Sequence, residues 1–76
     1  MELPDIETVA RKVHEAWMEN KLAQGVKSRK SEAGEELMVP YDELSEEAKE
    51  SDRVMVRTVY KAIREAMSEE TRPDAN

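Results

Sequence analysis

Two segments constrain this chain more than anything else in it: IETVARKVHEAW at residues 6–17 and VRTVYKAIREAM at residues 56–67. Each sets apolar residues at i, i+3, i+4, i+7 and i+11, the spacing of one face of an α-helix. The first stripe is Ile6, Val9, Ala10, Val13 and Trp17; the second is Val56, Val59, Tyr60, Ile63 and Met67. The segments align at an offset of 50, with Thr8/Thr58, Val9/Val59, Glu15/Glu65 and Ala16/Ala66 identical. Two amphipathic helices answering the same packing demand is the favoured reading. A pseudo-twofold pair facing itself across the core is the sharper alternative.

Local signals set the limits of these helices. Asp5 suits the N-cap of the first, Glu7 its positive end, and Gly25 its stop, which predicts a helix over residues 5–24. Leu22 lies off the stripe and is expected to pack elsewhere. Residues 26–41 (VKSRKSEAGEELMVPY) lack a helical period but carry a turn signal at Glu32, Ala33 and Gly34. They predict a loop or small β-hairpin, residues 26–29 against residues 36–39, ended by Pro40. Ser45 followed by Glu46 and Glu47 predicts a short helix reaching Glu50. Ser51 or Asp52 then restarts the chain as the last long helix, to about Ser68. The expected fold is mainly α, with two long helices, one short helix, and the loop or hairpin between helices 1 and 2. Residues 1–68 form a single domain, and residues 69–76 (EETRPDAN) a flexible polar tail.

With 76 residues there is room for one core, and stability on the order of 4–8 kcal/mol is expected. The chain is 38% hydrophobic and 39% charged, too apolar for a disordered tail. No apolar run is long enough to span a membrane, and the N-terminus lacks the basic-then-apolar layout of a signal peptide, so a cytoplasmic protein is expected. There is no cysteine, hence neither disulfides nor thiolate metal sites, and His14 is the single histidine. The net charge of −6 disfavours nucleic acid as a general partner, since a duplex binder needs a basic field. A local basic patch can still hold a small anion.

The run from His14 to Arg53 carries a more specific pattern. His14-Glu15-Ala16-Trp17 is followed by Lys21 and Gly25. After the loop come Val39-Pro40-Tyr41, Leu44, Lys49 and Asp52-Arg53, in the order V-P-Y-x-x-L-x-x-x-x-K-x-x-D-R. Over about residues 5–64 the chain resembles the RyR domain, the repeat unit of ryanodine receptors that also occurs alone in bacterial and phage proteins. Where the receptor-type repeat continues with an aromatic-rich stretch, residues 25–30 here read GVKSRK. The resemblance implies a small, mainly helical module without catalysis. It implies assembly and regulation in receptors, and sensing of nucleotide-derived signals in bacterial settings.

Individual residues carry two readings each. Trp17 is expected in the core, with ligand stacking as the alternative. His14, at the edge of the stripe, is expected to hydrogen-bond rather than to act as a base, because no nucleophile or second titrating partner is placed beside it. Pro40 makes Val39-Pro40-Tyr41 a rigid corner that sets Tyr41 against the first helix near Trp17. Arg53 pairs with Glu50 or Asp42, or grips a carboxylate or phosphate. Lys27, Arg29 and Lys30, with Lys21 upstream, form the one dense basic cluster, either a solvated run or an anion-binding rim. No nucleophile elbow, dinucleotide fingerprint or glycine-rich phosphate loop is present. The expected function is a non-catalytic module that senses or sequesters a nucleotide-derived anion. Its expected site is Trp17, Lys21, Lys27, Arg29, Lys30, Tyr41 and Arg53, with no metal and no cofactor. The alternative is a protein-interaction or assembly module, acting through its acidic surface or as a homodimer.

Overall fold

The computed structural model describes residues 2–70, the last by its backbone alone. It is mainly helical: helix α1 (Ile6–Ala23), a single 3-10 turn (Tyr41–Glu43) and helix α2 (Glu46–Glu70), with no sheet among the described residues. The separate short helix expected from Ser45 to Glu50 does not form, and the 3-10 turn lies just before that segment. Residues 46–50 are instead the start of α2, which runs unbroken through Ser51 and Asp52. Both residues accept helical geometry because the cap lies upstream at Ser45. Its Oγ accepts from Ala48 N at 3.1 Å and its carbonyl from Lys49 N at 3.0 Å.

Helix α1 begins and ends as its sequence dictates. The Asp5 carboxylate accepts from Thr8 N at 3.0 Å and Thr8 Oγ1 at 3.1 Å. At the other end Gly25 takes φ +83°, and two backbone bonds close the terminus, Val26 N to Lys21 O at 2.9 Å and Gly25 N to Leu22 O at 3.0 Å. This is the paired-bond C-cap that a left-handed glycine permits.

The expected hairpin shrinks to one antiparallel bridge, Lys30 with Glu36. The turn lies where expected, closed by Gly34 N to Ser31 O at 2.9 Å with Gly34 at φ +88°. The ladder fails because the Glu36 side chain takes its donors. Glu36 accepts from Arg29 N at 2.8 Å, from Met38 N at 3.0 Å and from the Ser28 hydroxyl. A carboxylate that satisfies backbone N–H groups offers the chain an alternative to strand pairing.

Helices α1 and α2 cross antiparallel. Tyr60 of α2 donates its hydroxyl to Pro4 O at 2.9 Å, just before α1, and Asp52 lies beside His14 further along it. The buried core is Ala10, Tyr41, Leu44, Val56 and Tyr60, flanked by Leu3, Ile6, Val9, Leu37, Val39 and Ala48. The two apolar stripes are only partly buried. Val13, Val59 and Met67 are exposed and Trp17 is half-buried. Tyr41 explains the shift: delivered by the Pro40 corner, its fully buried ring fills the seam between the helices. Helix α1 therefore turns the row Ile6, Ala10, His14 inward. Helix α2, at 25 residues, also outruns the 18 of α1 by about 10 Å, so Met67 has no part of α1 to pack on. Equivalent positions of the two segments do not all share environments: Ala10 and Tyr60 are both buried, but Val9 is half-buried and Val59 exposed. The similarity is two helices of one amphipathic type, not a symmetric pair.

Leu22, expected to pack away from the main helix partner, is exposed. The helix-end expectation near Ser68 falls two residues short of the described end of α2. The expected tail lies mostly outside the described residues.

Candidate functional site

Turning Trp17 out of the core leaves it on the wall of a groove of about 620 Å3. The middle of α1 supplies Val13, His14 and Trp17 to this groove; the loop supplies residues 31–33, Glu35 and Leu37. Leu44 and the first turns of α2, with Ala48, Asp52 and Met55, complete it.

His14 organises the inner side. It is buried within α1, and its Nε2 lies 2.7 Å from Val39 O. A carbonyl oxygen only accepts, so Nε2 carries a proton and donates, pinning the end of the loop to α1. The ring stacks obliquely between two aromatics, 5.6 Å from the Trp17 centroid and 6.2 Å from that of Tyr41. Its Nδ1 lies 3.8 Å from Asp52 Oδ2, beyond hydrogen-bond reach. Burial pushes the Asp52 carboxyl above its ordinary range, while the neighbouring His14 acts in the opposite sense.

The loop rim is tied down by two carboxylates. Glu35 accepts from Ser45 N at 2.8 Å and Ser45 Oγ at 2.7 Å, linking the loop to the start of α2. These bonds hold its carboxyl below the usual range. Glu36, with its three donors, is lowered to about 2.

The residues expected to form the site do not all line this groove. Trp17 alone among them lines the groove. Lys21 ends α1 half-buried, and Lys27, Arg29 and Lys30 are exposed on the segment leading into the loop. Tyr41 sits against α1 as expected, separated from Trp17 by the His14 ring, but it is wholly enclosed. Its hydroxyl is buried without a hydrogen-bond partner among the described residues. Burial, with Glu7 nearby, raises its ionisation range.

Arg53 does grip a carboxylate, but one of this chain. Its Nε lies 2.7 Å from Glu7 Oε1, and its Nη1 reaches Glu46 at 3.2 Å and Glu50 at 3.3 Å. Arg57 extends the network to Glu50 at 2.9 Å. Arg53 is thereby raised further and Glu7 lowered, chiefly by their mutual hydrogen bond. The network clamps α1 to α2 and leaves Arg53 no free edge for a phosphate. Asp42, the other expected partner of Arg53, pairs instead with Arg11 at 2.8 Å.

Asp52 is the groove residue that sequence reasoning assigned only to a helix start. A signal for it existed. Ala48, Asp52 and Val56 follow at i, i+4 and i+8, so a carboxylate stands on the inward row of α2, as His14 stands on that of α1. No group of three or more His, Cys, Asp or Glu among the described residues is placed to hold a metal ion. No described helix is long and apolar enough to cross a membrane.

Comparison with curated proteins gives no match, and neither does comparison with solved structures. The family model of the RyR domain matches residues 4–68, and the chain belongs to the RyR domain family.

Proposed function

We propose that this chain is a small non-catalytic ligand-binding module whose ligand enters the groove beside Trp17. The observation that carries this reading is a half-buried tryptophan on the wall of a cavity of about 620 Å3, in a chain with a single small core. Concave sites with apolar and aromatic walls and a few polar groups are the usual form of a small-molecule site. Absence of turnover is supported by His14, whose Nε2 is committed to the Val39 carbonyl. A nucleotide-derived anion is one ligand class this proposal admits, with its base against Trp17 and its phosphate toward Lys27, Arg29 and Lys30.

Trp17 is the single tryptophan, so its fluorescence reports on the groove alone. Titration of the chain with nucleotides, nucleosides and organic amines should change that emission for at least one class, with a matching rise in melting temperature. Arg29→Glu with Lys30→Glu should weaken nucleotide binding without unfolding the chain. If no class alters either signal, the groove is not a ligand site.

A second reading, a protein-interaction or assembly module, is favoured by the apolar side chains exposed along α2: Val54, Met55, Val59 and Met67. Sedimentation of the chain over a hundredfold concentration range tests self-association. A constant monomer mass removes the homodimer.

A further inference from the structure

We propose that the groove receives an organic cation: a positively charged N–H donor on an apolar or aromatic body, its nitrogen seated at Asp52 and its body along Trp17, Leu37 and Met55. The inference rests on the groove being the ligand site and narrows the ligand away from an anion.

Charge is the first argument. Apart from His14, the ionisable residues lining the groove are Glu32, Glu35, Glu47 and Asp52, all carboxylates, and no lysine or arginine lines it. Of the cations near its lining residues in sequence, Arg11 pairs with Asp42, Lys49 with Glu46, and Arg53 with Glu7, Glu46 and Glu50, while Lys12 and Lys30 are exposed and do not line the groove. Low-dielectric walls focus such a field into the cavity. A phosphate entering there would meet carboxylates.

The second argument is hydrogen bonding. Glu35 spends its carboxylate on Ser45, but Asp52 makes no hydrogen bond to a donor among the described residues, and its side chain is 29% exposed. With Nε2 donating to Val39, the His14 ring in its neutral form leaves Nδ1 as an acceptor 3.8 Å from Asp52 Oδ2. In that form the two acceptors have no donor between them, and a cationic N–H supplies one. A nitrogen about 2.8 Å from each closes a triangle on that base. Burial raises the ionisation range of Asp52, which a bound cation would oppose.

The third argument is the walls. Val13, Trp17, Leu37, Leu44 and Met55 give an apolar lining in which the indole face attracts a cation and covers its stem.

The test is calorimetric titration of the whole chain with benzylammonium, its neutral counterpart benzyl alcohol, and adenosine monophosphate. Benzylammonium should bind at least tenfold tighter than the other two. Asp52→Asn should abolish that preference, while Asp42→Asn, outside the groove, should leave it intact. Asparagine removes a charge that burial disfavours, so the variant should fold, as circular dichroism will show. The tripeptide Gly-Lys-Gly is the further arm. Binding tighter than benzylammonium marks a lysine side chain of a partner as the source, and weaker binding marks a free amine; either order supports the cation. Equal or tighter binding of benzyl alcohol or the nucleotide, with Trp17 emission changing, overturns the inference and keeps the groove as a ligand site. A preference that survives Asp52→Asn overturns it too. No response from any probe overturns both.

Discussion

Two tyrosines of this core should respond in opposite directions to the loss of one oxygen. Tyr41 and Tyr60 are both buried in the same cluster. The Tyr60 hydroxyl donates to Pro4 O at 2.9 Å, whereas the Tyr41 hydroxyl is buried with no partner among the described residues. A buried polar group left unpaired carries a desolvation cost of about 1–3 kcal/mol, and a satisfied hydrogen bond contributes about 0.5–1.5 kcal/mol. Tyr41→Phe keeps the ring that fills the seam and faces Arg11 at 5.1 Å and Lys49 at 5.7 Å. We therefore expect Tyr41→Phe to be neutral or to stabilise by about 1 kcal/mol, with its small void offsetting part of the relief. Tyr60→Phe should destabilise by about 1 kcal/mol. In a domain of this size about 1 kcal/mol shifts the melting temperature by roughly 4–8 °C, so the sign is measurable. Urea unfolding at constant m-value is the assay, since it separates a stability change from a change in compactness. A loss above about 1 kcal/mol for Tyr41→Phe would refute the reasoning. It would mean that the hydroxyl is bonded to the neighbouring Glu7–Arg53 pair and that the pair depends on it.

Three further outcomes follow from the same geometry. Trp17→Ala should cost on the order of 2 kcal/mol, less than the roughly 3–5 typical of a fully buried tryptophan, because half of the ring faces the groove; a variant unfolded at room temperature would place Trp17 in the core after all. The backbone amides of Arg29 and Met38, which donate to Glu36, should titrate with a midpoint near 2 rather than the ordinary 4.5. The unfolded chain binds the Glu36 proton more readily, so the loop's stabilisation is present above about pH 4.5 and is lost as pH falls toward 2, which amide exchange against pH will register. For Asp52 the sign reverses: its raised range disfavours the charged folded form, so Asp52→Asn should leave stability at pH 7 unchanged or higher, and a fall in melting temperature would show the carboxylate bonded.

The helices were legible because capping and periodicity are local. Asp5, Gly25 and Ser45 each act within a few residues, and the structure uses all three as their chemistry dictates. The turn at residues 31–34 was legible for the same reason. What periodicity does not carry is which row of a helix faces inward, since that depends on what arrives from elsewhere in the chain. Tyr41 arrives from the Pro40 corner and takes the seam, and Val13 and Trp17 are turned outward. The break at Ser51 and Asp52 was an over-reading of polar residues in a helix whose cap already stood at Ser45. The basic cluster is conspicuous because charge density is visible in a sequence, whereas Asp52 and His14, on the groove's inner side, sit among apolar rows.

The loop that rims the groove is short of regular structure yet held at three separate points. Glu36 binds the amides of Arg29 and Met38 within it, Glu35 fastens it to Ser45 at the start of α2, and His14 fastens its end to α1 through Val39 O. Each anchor joins the loop to itself or to a different helix, so releasing one leaves the other two. A loop of irregular backbone would otherwise have to be ordered by its ligand, at a cost of about 0.5–1.5 kcal/mol for each mobile side chain immobilised. Here the ordering comes with folding, and the rim does not have to close over Trp17 for the groove to exist. Of the carboxylate anchors, Glu35 also lines the groove, so one carboxylate both lowers the groove's potential and holds its shape. Acid removes field and anchors in succession: Asp52, whose range is raised, takes up its proton first, while Glu35 and Glu36, whose ranges are lowered, release the loop only at lower pH.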